Sequence, residues 1–145
     1  MNLLDATIEL LKAPDKRAAP SPFKSVKKLM ALSELEISSA TMQTPAVFVI
    51  EIASDPRPDV RGTGAYLQSV TDTVGIVIIA DARNGKHTDF EALRQAARAR
   101  LFGQPPTPQH EPFWLGKGRL LSVSTGRASW LEHYVTEHTE DQLSY

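Results

Sequence analysis

The chain has 145 residues, a formal net charge of −1, 41% apolar residues and 23% charged residues. This length suits one domain and this composition matches ordinary folded proteins, which excludes a chain that is disordered throughout. The absence of cysteine excludes disulfides, thiolate zinc sites, iron–sulfur clusters and a cysteine nucleophile.

The N-terminal part of the chain predicts two helices separated by a proline-rich segment. Leu3–Leu11 has apolar residues at helical spacing, and the three prolines within Ala13–Pro22 prevent the helix from continuing. Phe23–Val26 is a candidate for a short extended segment. Lys27–Leu35 predicts a second helix, because its leucines recur on one side at an interval of three residues.

The middle of the chain predicts the centre of a sheet. Ala46–Ile52 is apolar on both faces, which is typical of a strand that is covered on both sides. Tyr66–Ala80 predicts one long strand or two collinear ones. Between them, Ala53–Ala65 contains two prolines and two glycines and predicts a long loop or a protruding ribbon. Such long connections in compact domains are usually functional or disordered.

The next segment predicts a helix with a defined start. Thr88 and Glu91 match a capping box, in which each side chain bonds the other's backbone N–H, and a helix over Asp89–Phe102 follows. We expect Arg94 and Arg98, one turn apart, on the outer side of this helix.

Four further segments complete the chain. Gln104–Pro112 contains four prolines and predicts an irregular loop. Arg119–Ser124 predicts a strand. Ala128–His138 predicts the last strand because its aromatic and β-branched residues favour the pleated state, although a helix is the competing interpretation. Thr139–Tyr145 predicts a frayed tail.

The order of these elements predicts a single α+β domain over residues 1–145. Consecutive strands without an intervening helix imply antiparallel pairing. We therefore expect a mostly antiparallel or mixed sheet of about four to five strands, with helices packed on one face. The expected core residues are Phe48, Ile50, Ile76, Ile78, Phe90, Leu93 and Leu101.

Searches for catalytic and metal-binding motifs give only weak candidates. His133 and His138 are five residues apart, which on a strand places them on opposite faces, so packed or solvated histidines are favoured over metal ligands. Asp72 is expected to be an ordinary carboxylate on the outer face of its strand. No nucleophile-elbow serine occurs, and Gly62–Gly64 and Gly116–Gly118 are more typical of turns than of phosphate-binding loops.

These absences lead us to expect a protein without catalytic activity, bound metal or cofactor. No apolar run approaches the roughly 20 residues that a membrane-spanning helix requires. The N-terminus also lacks the basic start of a signal peptide. We therefore expect neither a membrane partner nor a targeting segment.

Several of these segments follow one another in an order and at a spacing that are more specific together than singly. They are Thr44–Ile50, Gly64–Ile78, Asp89–Arg94, Leu101–Gly103, Gly118–Leu121 and an aromatic last strand at Trp130. In this arrangement the chain resembles the tail terminator, or tail completion, proteins of long-tailed bacteriophages and prophages. The resemblance covers about residues 3 to 138.

The resemblance implies a small α+β subunit that forms a ring, typically a hexamer. The ring caps the head-proximal end of a completed tail tube, stops tube polymerisation and presents a docking surface to the head–tail connector. The implied partners are other copies of the chain, the tail tube protein and the connector protein, while DNA only passes through the ring lumen. The implied location is the virion tail, after assembly in the cytoplasm of the bacterial host.

Two loops, Ala53–Ala65 and Gly103–Gly116, are the candidates for contacts in such an assembly. The expected interface residues are Asp55, Arg57, Asp59, Arg61, Tyr66, Phe113 and Trp114. Two alternatives remain open: another head–tail connector or neck component, and a small cytoplasmic ligand-binding or enzymatic α+β domain. The second alternative requires a concave apolar pocket with converging polar groups.

Overall fold

Five strands form one sheet in the computed structural model, which describes residues 1–35, 42–81, 90–124 and 126–145. The strands are β1 (Ser25–Lys28), β2 (Ala46–Pro56), β3 (Leu67–Asp81), β4 (Trp114–Ser124) and β5 (Arg127–Asp141). Their order across the sheet is β1-β2-β3-β5-β4, so the long strand β3 lies at the sheet centre, as predicted.

The sheet is mixed. β1 pairs with β2 in parallel, and the other neighbouring strands pair antiparallel. β3 and β5 stay in register over their whole length, from Leu67 opposite Asp141 to Asp81 opposite Arg127. The pairing of β2 with β3 instead contains a register shift between Glu51 and Ala53.

Two α-helices, α1 (Leu3–Lys12) and α2 (Phe90–Leu101), pack on the same face of the sheet. α1 begins after Asn2, whose side-chain oxygen accepts a hydrogen bond from the backbone N–H of Asp5 at 2.8 Å. Thr88 of the predicted capping box lies outside the described residues. In the described part of the chain, no helix combines the length and the apolar character that crossing a membrane requires. The mixed sheet with helices on one face confirms the α+β prediction.

Apolar side chains are buried on both faces of the sheet. The main members of the cluster on the helix face are Ile8, Leu11, Val47, Val49, Val74, Ile76, Ile78, Ala97, Leu101, Phe113 and Tyr134. The cluster on the opposite face comprises Leu29, Leu35, Met42, Ala46, Phe48, Ile50, Val77, Ile79 and Leu131. The two-sided apolar pattern of Ala46–Ile52 therefore reflects a strand that is covered on both sides.

The predicted core residues divide between the two clusters. Three are buried on the helix face: Ile76, Ile78 and Leu101. Two are buried on the opposite face: Phe48 and Ile50. Two are only partly buried against the helix-face cluster: Phe90 and Leu93. The division arises because successive residues of a strand point to opposite faces, so one strand contributes to both cores.

The second predicted helix is wrong. Lys27 and Lys28 belong to β1, whose backbone pairs in parallel with β2, and within the described residues a 3-10 helix at Leu32–Glu34 follows. The leucines of this segment contact the cluster on the side of the sheet away from the helices. The spacing of these leucines fits a helix, but residues 25–28 form a strand because they pair with the backbone of β2. A pattern of local spacing gives no information about such a distant partner.

β4 and β5 are both longer than predicted. β4 begins at Trp114 rather than at Arg119, and β5 continues to Asp141 in place of the start of the predicted frayed tail. Gly116, which suggested a turn, instead allows close approach of the strands: a Cβ atom there would lie 2.9 Å from the Cβ of His133. The extra residues of β5 pair with the start of β3, and the helical alternative for this segment is excluded.

Candidate functional site

The connection between β2 and β3 is a ribbon that ends in a loop of residues 57–66. The backbone N–H of Arg57 donates to the carbonyl oxygen of Ser69 at 2.9 Å, which extends the ribbon beyond the last strand pair. The side-chain amide of Gln68 donates to the carbonyl oxygen of Arg57 at 3.1 Å. The predicted long segment Ala53–Ala65 thus starts as a strand and ends as a loop.

Asp59 holds this loop in shape. Its carboxylate accepts hydrogen bonds from the backbone N–H groups of Arg61 at 2.9 Å and Leu67 at 3.0 Å. It also forms a salt bridge with the Arg61 guanidinium at 2.8 Å, and that guanidinium donates to the carbonyl oxygen of Ala65. The Arg61 side chain, together with the two backbone N–H groups, holds the pKa of Asp59 well below its usual range.

The C-terminal 3-10 helix, Gln142–Ser144, braces the loop at Tyr66. The Tyr66 N–H donates to the side-chain oxygen of Gln142, and the Gln142 N–H donates to the Tyr66 carbonyl oxygen, both at 2.9 Å. The Tyr66 hydroxyl also accepts a hydrogen bond from the N–H of Asp59 at 3.1 Å. The loop therefore has a defined shape and still presents the Tyr66 ring, which is 47% exposed.

The loop residues that were predicted to form an interface have two different roles. Asp59 and Arg61 bond to each other and to the loop backbone. Asp55, Arg57 and Tyr66 have exposed side chains. Arg61 is exposed too, but its guanidinium is bonded within the loop, so Asp55, Arg57 and the Tyr66 ring are the parts that a partner can contact without changing the loop. The role of these residues in an interface stays a prediction.

Phe113 and Trp114 lie on opposite sides of the chain where β4 begins. Phe113 is buried and packs edge-on against Tyr134, with ring centroids 6.0 Å apart. Trp114 is 42% exposed. Phe113 therefore belongs to the core of the subunit, because adjacent residues of an extended chain alternate in direction, and only Trp114 is at the surface.

A buried carboxylate, Glu132 of β5, ties α2 to the sheet. Glu132 is 1% exposed and accepts hydrogen bonds from Arg94 Nε at 2.7 Å and Arg98 Nε at 3.1 Å. Trp130 Nε1 donates to it at 3.3 Å and the Tyr134 hydroxyl at 3.1 Å. We call these five residues the arginine cluster. Arg94 and Arg98 face the sheet, so the prediction that they lie on the outer side of the helix is wrong.

The arginine cluster favours an ionised Glu132. Burial raises the pKa of Glu132, but the hydrogen bonds and charges of Arg94 and Arg98 outweigh it, so the net pKa lies below its ordinary value. Burial and the charge of Glu132 raise the pKa of Tyr134, which keeps its hydroxyl a donor. The Arg94 guanidinium also lies 4.4 Å from the centroid of the Trp130 ring. Each of the five residues therefore contacts at least one other member of the cluster.

A second polar group lies on the same face, nearer to the loop end of β3 and β5. Oδ2 of Asp72 lies 2.5 Å from Nδ1 of His138 and 3.7 Å from Nε2 of His110, which comes from the loop between α2 and β4. The other ring nitrogens have partners too: His138 Nε2 lies 2.7 Å from Oε1 of Glu140, and His110 Nδ1 lies 2.6 Å from Oγ1 of Thr107. We call these five residues the histidine cluster.

The expectation of an outer-face Asp72 is wrong, since this residue is buried on the helix face. Asp72, Val74 and Ile76 are alternate residues of β3, and this shared parity was the signal in the sequence. The loop that carries His110 covers this part of the sheet and is fixed there by a hydrogen bond from the N–H of Glu111 to the carbonyl oxygen of Glu137 at 2.8 Å.

The two histidines of the histidine cluster have opposite pKa shifts. Burial lowers the pKa of His138, but hydrogen bonds to Glu140 and Asp72 outweigh it and raise the net pKa. Burial and the neighbouring His138 lower the pKa of His110 and outweigh the opposite effect of Asp72. His138 is therefore the favoured carrier of a proton in this cluster.

His133 lies apart from the histidine cluster, on the opposite face of β5, as its spacing from His138 predicted. It lines a small pocket together with Leu131, Lys117, Gly118 and Arg119. Burial, followed by the charges of Lys117 and Arg119, lowers the pKa of His133. The lining of this pocket combines Leu131 with the polar residues His133, Lys117 and Arg119.

A family comparison covers almost the whole chain. The sequence model of the family described as Phage tail terminator protein matches residues 1–142, a range that includes both helices, all five strands, the loop and both clusters. A search of curated proteins found no match. The chain therefore belongs to the phage tail terminator family, whose members are structural, non-enzymatic proteins of the bacteriophage tail.

Proposed function

We propose that this chain forms a hexameric ring that caps the head-proximal end of the tail tube. In that position the ring stops polymerisation of the tube and gives the head–tail connector a docking surface. The observation that carries this proposal is the family match over residues 1–142, which spans the complete sheet and both helices.

The loop of residues 57–66 supports a role in assembly contacts. A ring closes when one surface of a subunit fits a different surface of the next. Because Asp59 and Arg61 already order the loop, little conformational entropy remains to be lost when it meets a partner. Asp55 and Arg57 offer exposed charges of both signs, and Val60 near the loop tip is 90% exposed.

The proposed partners follow from the capping role. They are other copies of the chain, the tail tube protein and the head–tail connector, with viral DNA passing only through the ring lumen. A component that ends tube growth must bind where growth stops, so we place the ring at the head-proximal end of the tail. Assembly then takes place in the cytoplasm of the bacterial host.

Tail length tests this function directly. Tail tubes assembled without the protein should have no fixed length, and addition of the purified chain should restore uniform tails. Electron microscopy of negatively stained samples gives the length distribution and shows whether the protein forms rings. Uniform tails in the absence of the protein, together with heads that fail to join them, would instead indicate another connector or neck component.

Arg57→Glu tests the loop as the contact surface. The hydrogen bonds that Arg57 makes in the loop come from its backbone, so the free energy of unfolding of the variant should lie within about 0.5 kcal/mol of the parent value. Ring formation or tail completion should nevertheless fail, because the guanidinium that would bind a partner carboxylate is gone. Arg17→Glu, in an exposed segment after α1, is the control with the same charge change. Arg61 is unsuitable because its substitution would release Asp59 and disorder the loop. Normal assembly of Arg57→Glu would exclude Arg57 as a contact residue of the ring.

A further inference from the structure

We propose that Asp72, His110 and His138 bind one divalent transition-metal ion, with Zn²⁺ the best match, through Oδ2, Nε2 and Nδ1. These three donor atoms lie within 4.8 Å of one another. They come from β3, from the loop between α2 and β4, and from β5. Imidazole nitrogen and carboxylate oxygen are the ligands that zinc takes when cysteine is absent.

The donor atoms are close to the spacing that an ion requires. Zinc ligands at about 2.0–2.1 Å in a tetrahedral arrangement lie roughly 3.4 Å from one another. The separation of Asp72 Oδ2 from His110 Nε2 is 3.7 Å, close to that value. Asp72 Oδ2 lies 2.5 Å from His138 Nδ1, which is the length of a hydrogen bond with one proton between the two atoms. An ion that replaces this proton needs a shift of about 1 Å between two side chains.

The second nitrogen of each ring is already held as it is in metal sites. Histidines that bind metals almost always donate their other N–H to an oxygen, which fixes the tautomer and the orientation of the ring. Glu140 Oε1 can accept from His138 Nε2 at 2.7 Å, and Thr107 Oγ1 can accept from His110 Nδ1 at 2.6 Å. Once an ion has replaced the proton between His138 and Asp72, with both outer nitrogens still donating, Nδ1 of His138 and Nε2 of His110 each offer a lone pair to that ion.

Burial and charge also suit a cation. The Asp72 side chain is 6% exposed, while those of His110 and His138 are 13% and 19% exposed, so the site is sheltered but open to an ion from solvent. Two neutral imidazoles with the carboxylates of Asp72 and Glu140 balance the charge of a divalent ion. A water molecule would complete a four-coordinate site.

The place of the site in the fold indicates a structural role. An ion bound there would link the loop that carries His110 to both long central strands. One backbone hydrogen bond from Glu111 and one side-chain bond from Thr136 to Glu111 already fix this loop to β5. A metal would add a third attachment and hold the proline-rich segment before β4 against the sheet.

Binding by the full-length, tag-free protein tests the proposal. After removal of metals with a chelator, titration calorimetry with ZnCl₂ should show one ion per chain. Co²⁺ should give the visible absorption of a tetrahedral complex with nitrogen and oxygen ligands. His110→Gln and Asp72→Asn should weaken zinc binding by more than the 10–100-fold that is typical for loss of a supporting residue, and Glu140→Gln by about 10–100-fold.

His133→Gln is the matched control, because His133 lies on β5 but outside the cluster, and this variant should bind zinc like the parent. Circular dichroism in the presence of chelator establishes that each variant is folded. Absence of stoichiometric binding by the parent would overturn the proposal without reference to any variant. Equal binding by the parent, His110→Gln and Asp72→Asn would overturn it too, since the ion would then lie elsewhere. In either case the histidine cluster would be an ion pair between a protonated His138 and two carboxylates.

Discussion

The arginine cluster and the histidine cluster lie on the same face of the sheet, yet they are built from different cations. Glu132 is paired with guanidinium groups, which stay protonated in proteins and have no lone pair to offer. Asp72 is paired with imidazoles, which can release a proton and present a ring nitrogen to another partner. Both clusters contain a buried carboxylate paired with a basic group. The type of basic group therefore decides whether a ligand, such as a metal ion, can replace the proton between the two partners.

Glu132→Ala should have the largest effect on stability. Its removal leaves Arg94 and Arg98 facing the sheet without their carboxylate, which should lower the free energy of unfolding by about 3–5 kcal/mol. Urea unfolding measures this loss. Glu51→Ala removes an exposed carboxylate from β2 and should change stability by at most about 0.5 kcal/mol. Equal losses in the two variants would mean that the arginine cluster does not hold α2.

Acid should weaken the arginine cluster. The pKa of Glu132 is lower in the folded chain than its unfolded value of about 4.3, because Arg94 and Arg98 outweigh its burial. Its stabilisation is therefore complete above the unfolded pKa and is lost as the pH falls through the folded pKa. In Glu132→Gln the free energy of unfolding should fall less steeply with decreasing pH, and its slope should be smaller by up to about 1.4 kcal/mol per pH unit. Urea midpoints on both sides of the unfolded pKa measure this slope, and parallel curves would contradict the assignment.

Asp72→Asn should have a smaller effect on the metal-free protein. The amide oxygen can still accept a hydrogen bond from His138, and Glu140 retains its own bond to that ring. We expect a loss of about 1–2 kcal/mol, measured by urea unfolding in the presence of a chelator. Asp55→Asn, on the exposed part of the ribbon, is the control. A loss larger than that of Glu132→Ala would reverse the ranking of the two clusters.

Tyr145→Phe should have the smallest effect. The Tyr145 hydroxyl donates to Glu140 at the solvent side of the histidine cluster, but the residue is 93% exposed. Removing the hydroxyl should leave the melting temperature close to that of the parent, because substitutions at exposed sites away from the core rarely change stability. A clear drop in the melting temperature would show that the C-terminal residues help to order the cluster.

The periodic parts of the fold could be predicted from the sequence because their patterns are local. α1, β3, most of α2 and β2 as far as Ile52 follow from apolar spacing, whereas the remainder of β2, up to Pro56, was predicted as part of a long loop or ribbon. The segment after Phe23 could not, because its strand depends on a parallel partner far along the chain. The start of β4 was hidden by Gly116, whose missing side chain makes room for His133 across the strand pair.

The two clusters could be predicted only in part. Parity along β3 and β5 places Asp72 and Glu132 on the helix face, but no spacing rule brings His110 to Asp72. That contact depends on how the loop after α2 folds over the sheet. The shape of the loop of residues 57–66 was equally inaccessible, since composition shows Asp59 and Arg61 as two surface charges and not as a pair that bonds the loop backbone.

The unbroken ladder between β3 and β5 has a mechanical consequence. Each strand has 15 residues, which at about 3.3 Å per residue gives a stiff pair roughly 50 Å long. The loop of residues 57–66 is attached at one end of this pair, and a pull on it along β3 loads all the rungs in shear at once instead of peeling them apart one by one. A force that a neighbouring molecule applies at the loop tip is therefore transmitted to the body of the subunit, so the loop and the sheet move together as a rigid unit.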